Sequence, residues 1–386
     1  MNQSQTSESP RYEFLDALRG FAILGVISYH CAYFAGWTHA VEFTEAGAFG
    51  VQLFFMVSAF TIFMTLERAL SREQAVIRSF YIRRILRILP MFWVGIVLYT
   101  FAPGREHYYK DWDMGFSYYL LTAFLQHGWH PNFINTVVPG GWTIAVEATF
   151  YVIAPLLFFW IKNWQAALFF FLAALIVCAA GNNCLRILTD HQFIFRQVLP
   201  DLSRRFSYEW FPSQLPVFAC GILTFYILKT IPEPFRSKRN GLLMLATAMV
   251  LLYSVVGIGS HRLIPEQAFF AFCFLLLILA LAIYPLFFLV NPAICFLGRI
   301  SYSCYLMHFV IVLGVIPYFN FFSKLYFSNS LRAYLLLFAA TLALTILVSS
   351  VTYKIVEQPF IRLGSSLVRR LNATLENEVQ NKAVVT

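Results

Sequence analysis

The first apolar segment carries two side chains that can do chemistry, Arg19 and His30, eleven positions apart. Eleven residues are almost three helical turns, so a helix puts both side chains on one face, roughly 16 Å apart along its axis. A charge at membrane depth is costly and usually faces a bundle interior or a water-filled cavity, so it indicates a functional site. A fixed cation near one end of the helix and a titratable imidazole two-thirds of the way across suit a site that reaches through a membrane.

Glu147 is a second candidate at membrane depth. It follows Gly140 and Gly141, which break the chain at the membrane surface, and helical rise puts it about 9 Å into the next span. Counted from the opposite surface, His30 lies about 24 Å up a core of roughly 30 Å, so the two depths nearly coincide. A carboxylate beside an imidazole fixes its tautomer and stabilises its protonated form. We therefore predict that Glu147 orients His30; the alternative is a carboxylate that pairs with a structural cation or carries a proton.

Three arginines lie where the second and third spans connect, at Arg83, Arg84 and Arg87. Arg83 and Arg87 are four positions apart and share a helical face just below the membrane. Guanidinium groups can bind phosphates bidentately, which makes this segment a candidate phosphate site. The alternative is a topology anchor that binds lipid headgroups.

Two further clusters lie near the end of the chain. Tyr302, Tyr305 and His308 recur every three residues on one face of a predicted span, and His308 falls close to the midplane. These side chains line a site or simply hydrogen bond to one another. Glu357 precedes Pro359, which is expected to stop the last helix, and its carboxylate is expected to neutralise cytoplasmic arginines.

Composition identifies the elements that position these residues. Hydrophobic residues make up 59% of the 386 residues and charged residues 12%, whereas a soluble domain carries about 25% charged residues. Mean hydropathy is +0.67. Apolar runs of transmembrane length recur along the chain, and we predict an all-α polytopic membrane protein with about ten helices in one bundle. The predicted spans are 14–36, 47–66, 88–103, 142–161, 165–181, 212–229, 241–258, 267–290, 299–320 and 331–356, and the shorter stretch from Phe116 to Leu125 is expected to be a re-entrant or surface helix.

The basic residues predict that both termini are cytoplasmic. In that topology the cytoplasmic segments hold 18 of the 28 lysines and arginines and the outer loops hold nine, as the positive-inside rule requires. The segment 182–211 opposes this topology, because it is predicted to be an outer loop and yet contains four arginines.

Several other classes of site are not indicated by the sequence. No cleavable signal peptide is expected, because the N-terminus is polar and the first apolar segment is interrupted by charges. The seven cysteines show no C-x-x-C spacing, so neither a disulfide framework nor a metal site is expected. No nucleotide-binding loop is found and no nucleic-acid partner is expected, whereas the basic surface suits anionic membrane lipids. We predict a disordered tail at 1–10, a membrane domain at 11–362 and a disordered cytoplasmic tail at 363–386.

Six segments occur in the order and at the depths typical of one family, although each is a weak pattern alone. They are the opening segment Y-E-F-L-D-A-L-R-G-F-A-I-L-G-V-I-S-Y-H, then G-V-Q-L-F-F-M-V-S-A-F, R-R-I-L-R-I-L-P, W-T-I-A-V-E-A-T-F-Y, S-Y-S-C-Y-L-M-H and V-E-Q-P-F. Together they resemble the acyltransferase-3 family of integral-membrane O-acyltransferases, which modify bacterial surface glycans and related acceptors. The resemblance covers about 11–362. Ala59 stands where the family usually has glycine, and its methyl group is expected to tighten packing.

The resemblance implies an O-acyltransferase of the bacterial inner membrane with no permanently bound cofactor. The donor would be cytoplasmic acyl-CoA, with acetyl as the default acyl group, and the acceptor a hydroxyl of a glycan or lipid-linked saccharide at the outer side. His30 would act as general base, with a transient acyl-His30 as an open variant, and Glu147 would orient it. Arg19 would hold a CoA phosphate or line the donor channel. The expected donor-binding residues are Arg83, Arg84, Arg87, Tyr302 and His308.

Two other classes of protein remain open. A secondary transporter, or a flippase for an acylated or lipid-linked glycan, could use intramembrane arginine, histidine and glutamate as a proton relay, but the sequence shows no internal repeat of the kind many transporters have. A binding or sensor protein with a degenerate site fits poorly with six retained motifs.

Overall fold

The computed structural model describes residues 12–35, 44–101, 115–190, 200–257, 265–326 and 331–385. The regular secondary structure in these ranges is helical, which satisfies backbone polar groups within each segment as a lipid environment requires. The helices are α1 Glu13–Phe34, α2 Gly50–Leu70, α3 Val76–Phe101, α4 Phe116–Ala123, α5 Gly141–Trp160, α6 Trp164–Asp190, α7 Pro200–Glu209, α8 Phe211–Thr230, α9 Lys238–Gly257, α10 Glu266–Ile283, α11 Pro292–Arg299, α12 Ser301–Tyr326, α13 Leu331–Thr352 and α14 Gln358–Val385.

The predicted fold class is confirmed. Nine helices in the described part of the chain are long and apolar enough to cross a membrane, so the chain is an all-α polytopic membrane protein. The remaining predicted span, 241–258, is also helical and corresponds to α9. The short apolar stretch from Phe116 forms the eight-residue helix α4, as expected.

The bundle has two ends that differ in charge. At the basic end α1 begins, α2 ends and α3 begins, and at this end lie Arg68, Lys229 and Arg236. At the histidine end α1 finishes just beyond His30, and α2, α5 and α8 begin. The spans α2 and α8 are the most deeply buried, and α6 is largely exposed on the bundle surface. The candidate functional residues therefore lie on helices at the centre of the bundle or directly around it.

Two close helix contacts fix the positions of α1 and α2. A Cβ atom on Gly298 would come within 1.8 Å of the Asp16 carbonyl oxygen, so α11 packs directly on the α1 backbone. A Cβ atom on Gly221 of α8 would lie 3.0 Å from the Cβ of Ala59 and 2.6 Å from the Met56 carbonyl oxygen. The missing side chain at Gly221 therefore makes room for the methyl group of Ala59, which is fully buried. Small residues allow such close approach of membrane helices.

The chain between the second and third spans differs from the prediction. The helix α3 begins at Val76, twelve residues before the predicted start of its span, so Arg83, Arg84 and Arg87 lie within a continuous helix. Pro90 lies inside the same helix. Consequently the three arginines lie along about one turn of a single helix instead of in a surface connection.

The expectation of a disordered C-terminal tail is wrong. The chain passes from α13 through a π-helical turn at Tyr353–Glu357 directly into α14, and Pro359 lies in the first turn of that helix. A π turn shifts the hydrogen-bond register and so accommodates a residue without an N–H, and proline is tolerated in a first turn. The side chain of Asn372 then accepts hydrogen bonds from the backbone N–H groups of Gln74 and Ala75, which ties α14 to the start of α3.

Candidate active site

A central cavity of about 80 Å³ lies between α1, α2, α3, α5 and α12. It contains both charged and apolar walls and runs from arginines near the basic end to Tyr305 and Thr143 near the histidine end. Its lining residues are Arg19, Val51, Phe54, Phe55, Ser58, Arg84, Arg87, Ile88, Thr143, Ile144, Glu147, Tyr151, Ser301, Tyr302 and Tyr305. Residues from distant parts of the sequence that were singled out as candidates, including Arg19, Arg84 and Glu147, therefore share one cavity.

Arg19 is held in the cavity wall by two neighbours. Its guanidinium donates a hydrogen bond of 3.0 Å to the Thr61 hydroxyl oxygen and forms an ion pair of 3.5 Å with Asp16 one turn earlier. The Thr61 hydroxyl in turn donates to the Val57 carbonyl oxygen at 2.6 Å. The charge of Arg19 is thus fixed at a defined point on the cavity wall.

The structure separates the three α3 arginines. Arg84 and Arg87 line the cavity, whereas Arg83 turns away and forms an ion pair with Glu73. The guanidinium of Arg84 lies 5.3 Å from the centre of the Tyr151 ring. Arg87 makes no hydrogen bond or ion pair with any residue that the structure describes, so its guanidinium is available to a ligand. Arg83 and Arg87 share a face of α3, as their spacing predicted, but they lie one turn apart along its axis and only Arg87 reaches the cavity.

Glu147 has two hydroxyl partners on the cavity wall. Its Oε1 atom accepts hydrogen bonds of 2.5 Å from Ser58 and 2.5 Å from Tyr151. Arg84 is close enough to interact with this carboxylate electrostatically. Glu147 is therefore a carboxyl group held on the cavity wall beside the guanidinium of Arg84.

His30 pairs with His308 from α12. The Nδ1 atom of His308 lies 2.7 Å from the Tyr305 carbonyl oxygen, and because a carbonyl oxygen only accepts, this nitrogen carries the hydrogen. The Nε2 atom of a neutral His308 is then an acceptor for Nδ1 of His30, 3.2 Å away. Phe309 packs on both rings, with centroid distances of 4.4 and 4.1 Å. His308 is fully buried and His30 only partly, and this network leaves Nε2 of His30 with its lone pair.

The predicted partnership of Glu147 with His30 is wrong in this structure. The two side chains do not hydrogen bond to each other, and each has other partners among the described residues. Agreement in depth along two helix axes does not determine rotation about them. His30 faces α12, and Glu147 faces α2 and α3. His308, expected at the donor site, lies with His30 and outside the lining of the central cavity.

Tyr305 separates the cavity from the histidine pair. Its ring lies 5.6 Å from that of His308, and its hydroxyl donates to the Gly140 carbonyl oxygen at 3.1 Å. Gly140 adopts φ +73°, a left-handed conformation that favours glycine, at the turn before α5. The Thr143 hydroxyl lies 3.0 Å from that of Tyr305. These contacts form the cavity wall nearest to His30.

His127 supports the same turn from outside the spans. Its Nε2 atom lies 3.0 Å from the Gly141 carbonyl oxygen, and its ring stacks on Phe92 at 5.8 Å. Burial lowers the pKa of His127 to about 4, so the ring stays neutral at ordinary pH.

Tyr302 and Glu357 lie on the side of the cavity nearest the basic end. The Tyr302 hydroxyl donates to the Ile88 carbonyl oxygen at 2.9 Å, and Tyr302 lines the cavity as expected of a donor-site residue. Glu357 is buried, accepts a hydrogen bond from Ser303 and interacts electrostatically with Arg87. The carboxylate thus lies near one cavity arginine, which agrees with the expectation that it neutralises basic residues.

Several cavity residues were not singled out from the sequence. Ser58 and Tyr151, the two partners of Glu147, lie inside segments already recognised as motifs, and Tyr151 follows Glu147 by one helical turn. That spacing is a signal for contact on one helix face. Thr143 and Ser301 carry no comparable signal, because only the packing of α5 against α12 brings them to the cavity.

Comparison with known proteins agrees with the architecture. The model of a family described as an acyltransferase domain matches residues 12–353. The chain is 25% identical over 383 residues to the O-acetyltransferase OatA of Staphylococcus aureus strain NCTC 8325 / PS 47, and the alignment covers 92% of this chain and 58% of that protein. The same values hold for OatA of strain COL.

The chain spans about three fifths of the length of these curated relatives. No solved structure matches it. The family match nevertheless extends over the helices that carry the cavity and the histidine pair. The chain therefore belongs to the acyltransferase-3 family of acyltransferase domains.

Proposed function

We propose that this chain catalyses O-acyl transfer from acyl-CoA to a hydroxyl group of a glycan or lipid-linked saccharide. The observation that carries the proposal is the arrangement of charges around the central cavity. Three guanidinium groups line it, and the paired histidines lie beyond its wall at Tyr305. O-acyl transfer from a CoA thioester requires a site for an anionic donor and a base for the acceptor hydroxyl. The name O-acetyltransferase of the relatives supports acetyl as the first acyl group to test.

The donor is proposed to enter from the basic end. CoA carries several negative charges, and Arg87 offers a guanidinium that lines the cavity and makes no hydrogen bond or ion pair with a described residue. A cation in a low-dielectric cavity is costly unless it is compensated, so an anionic ligand stabilises this arrangement. The cavity of about 80 Å³ is proposed to hold the narrow arm of the donor. The thioester would extend past Tyr305 towards Nε2 of His30, and the nucleotide would remain outside at the basic end.

His30 is proposed as the general base. The acceptor hydroxyl oxygen attacks the thioester carbonyl carbon while Nε2 of His30 takes the hydroxyl proton. The C–S bond then breaks, the ester remains on the acceptor, and the protonated imidazole returns the proton to the CoA thiolate. His308 is a positioning residue, since its hydrogen bond with Nδ1 fixes the tautomer that leaves Nε2 basic.

Arg19 and Glu147 are proposed to set the electrostatics of the donor path. Arg19 stabilises negative charge on the part of the donor that lies nearest the basic end. Glu147 compensates Arg84, and its hydrogen bonds with Ser58 and Tyr151 hold that carboxylate in place. Glu147 is thus a positioning residue for the cavity arginines and not for His30.

The membrane and the orientation are part of the proposal. We assign the chain to a bacterial inner membrane with both termini and the basic end in the cytoplasm, where acyl-CoA is made. The acceptor then binds at the histidine end, on the outer side. The bias of lysine and arginine supports this orientation.

The proposal is tested with the purified full chain in proteoliposomes. Acetyl-CoA labelled in the acetyl group is supplied together with envelope polysaccharide from the producing cells, and label in the polysaccharide is measured. We expect acyl ester that is released by mild base and that depends on His30. Movement of a glycan across the membrane without any acylation would contradict the proposal and favour the flippase alternative.

A further inference from the structure

A polar cluster that the mechanism above does not use lies at the histidine end of the bundle. We call it the amide cluster; it consists of Gln52 in the first turn of α2, Tyr208 of α7 and Gln214 of α8. The side-chain Nε2 of Gln52 donates hydrogen bonds of 3.1 Å to the Tyr208 hydroxyl oxygen and 3.1 Å to Oε1 of Gln214. Gln52 and Gln214 are fully buried, and Tyr208 is partly exposed.

The orientation of the Gln52 amide is determined by its neighbours. Nε2 of Gln214 donates to the Tyr208 carbonyl oxygen at 2.7 Å, so Oε1 of Gln214 must face Gln52. Gln52 therefore presents its Nε2 to Gln214 and points its Oε1 elsewhere. That Oε1 is buried and has no hydrogen-bond partner. A buried polar atom without a partner is costly and calls for an explanation.

The amide cluster offers one acceptor and one donor at adjacent positions. Oε1 of Gln52 can accept a hydrogen bond, and the Tyr208 hydroxyl, which accepts from Gln52, has no acceptor for its own hydrogen among the described residues. A hydroxyl group both donates and accepts, so a single hydroxyl can satisfy both atoms. A carboxylate or a phosphate cannot, because it has no hydrogen to donate to Gln52.

The surroundings connect the amide cluster to His30. Arg205, one turn before Tyr208 on α7, is close enough to interact electrostatically with both Tyr29 and His30. Glu209, which pairs with Arg205, is buried, and its Oε2 is a second polar atom without a partner. Two acceptor atoms that lack partners, at the same end of the bundle as the proposed base, suit a ligand with more than one hydroxyl.

We propose that Gln52 and Tyr208 bind a hydroxyl of the saccharide acceptor other than the one that is acylated. This inference rests on the proposed function and deepens it, because it assigns acceptor recognition to two residues outside the central cavity.

The test measures acceptor saturation by two variants that each remove one hydrogen-bonding group, Gln52→Met and Tyr208→Phe. The full chain is assayed with acetyl-CoA and increasing amounts of envelope polysaccharide from the producing cells. We expect each variant to raise the half-saturating polysaccharide concentration about tenfold, as the loss of one hydrogen bond implies, with little change in the KM for acetyl-CoA. Because both groups hold the same hydroxyl, the double variant should be little worse than either single variant.

Matched controls separate this role from a structural one. Gln267→Met removes an equally buried amide, whose Nε2 donates to the Ser213 carbonyl oxygen, and Tyr226→Phe removes a buried hydroxyl at the basic end. Neither should change polysaccharide saturation.

Two outcomes would contradict the inference. If Gln52→Met and Tyr208→Phe saturate like the wild type, or if they alter only turnover, a bound water fills the cluster. The inference is then wrong, while the proposed function stands. If the wild-type chain acylates no polysaccharide, the proposed function fails and the inference falls with it.

Discussion

At the scale of single residues, the structure gives His30 and Glu147 hydrogen-bond partners that differ from the predicted ones. His30 has a histidine partner on α12, and Glu147 has hydroxyl partners on α2 and α5. A base that must carry a proton transiently gains from a neutral partner that fixes one ring nitrogen, because the other nitrogen then keeps its lone pair. The carboxylate instead stabilises the cavity arginines. Each residue can therefore be tested separately.

Replacement of His30 by alanine should reduce acyl transfer on the order of 10²- to 10⁴-fold, because the reaction loses its general base. The measurement is acetyl ester formed on envelope polysaccharide per amount of folded protein in the membrane. His130→Ala, in the segment before α5, is the control and should retain activity. Wild-type rates from a folded His30→Ala protein would eliminate His30 as the base.

His308 and Glu147 should couple differently to His30. His308→Ala acts only through His30, so adding it to His30→Ala should cost little further rate. Glu147→Gln acts through the arginines, so its effect should multiply with that of His30→Ala. Turnover of the three single variants and the two double variants that contain His30→Ala measures both coupling terms. Strong non-additivity between Glu147 and His30, with none between His308 and His30, would reverse the two assignments.

At the scale of helices, α3 distributes its arginines over two environments. Arg84 and Arg87, three positions apart, face the cavity, and Arg83 pairs with Glu73 outside it. Only the cavity-facing pair can contact a donor that enters between α1, α3 and α12. A basic segment that looks uniform in the sequence thus separates into a candidate ligand site and a surface ion pair.

Arg87→Gln should raise the KM for acetyl-CoA about tenfold or more, because a charge-assisted hydrogen bond to the donor is lost. Arg83→Gln is the matched control, since it removes the same charge from the same helix but breaks only a partly exposed ion pair with Glu73. Initial rates over a range of acetyl-CoA concentrations measure both. Equal shifts in the two variants would indicate a general effect of surface charge.

The helix α14 should stabilise α3 through a single amide. Asn372 accepts from the N–H groups of Gln74 at 2.7 Å and Ala75 at 3.2 Å, at the start of α3. Its replacement by alanine leaves these groups without that partner and should lower the free energy of unfolding by about 1–2 kcal/mol. Thermal unfolding in detergent measures the effect. Thr374→Ala, on the exposed side of the same helix, should leave the transition unchanged.

At the scale of the whole molecule, positive charge is concentrated at the end of the bundle from which the donor is proposed to enter. Cationic residues are concentrated at the basic end, and the cavity arginines continue that charge into the bundle. The histidine pair and the amide cluster lie at the opposite end. In the proposed function, an anionic donor and a hydroxyl acceptor reach the site from opposite sides of the membrane.

The orientation predicts which cysteines react with a membrane-impermeant thiol reagent added from outside. Cys184 is exposed near the end of α6, whereas the other six cysteines are buried. We expect the reagent to label Cys184 in intact cells. In a Cys184→Ser background it should label a cysteine introduced at Asp201 and not one introduced at Lys238. The opposite pattern would invert the site and put the acceptor in the cytoplasm.

The sequence by itself determined the class of fold, the positions of most helices and the family. These follow from local properties: apolar length specifies a span, and side chains such as Arg19 and His30 are rare enough at membrane depth to be recognised individually. Residue spacing also predicted correctly that Tyr302 and Glu147 lie on helices long and apolar enough to cross a membrane. It could not predict the end of the last span, because a π turn offsets the effect of Pro359.

Only the tertiary structure decided which of these residues meet. The different surroundings of Arg83 and Arg87 depend on how far the cavity extends along α3. The pairing of His30 with His308 and the cluster around Gln52 depend on how each helix is rotated about its axis. That rotation is fixed by contacts between helices far apart in the chain, such as Gly298 against Asp16 and Gly221 against Ala59. Depth in the membrane is encoded in the distance along one helix, whereas rotation is a property of the packed bundle.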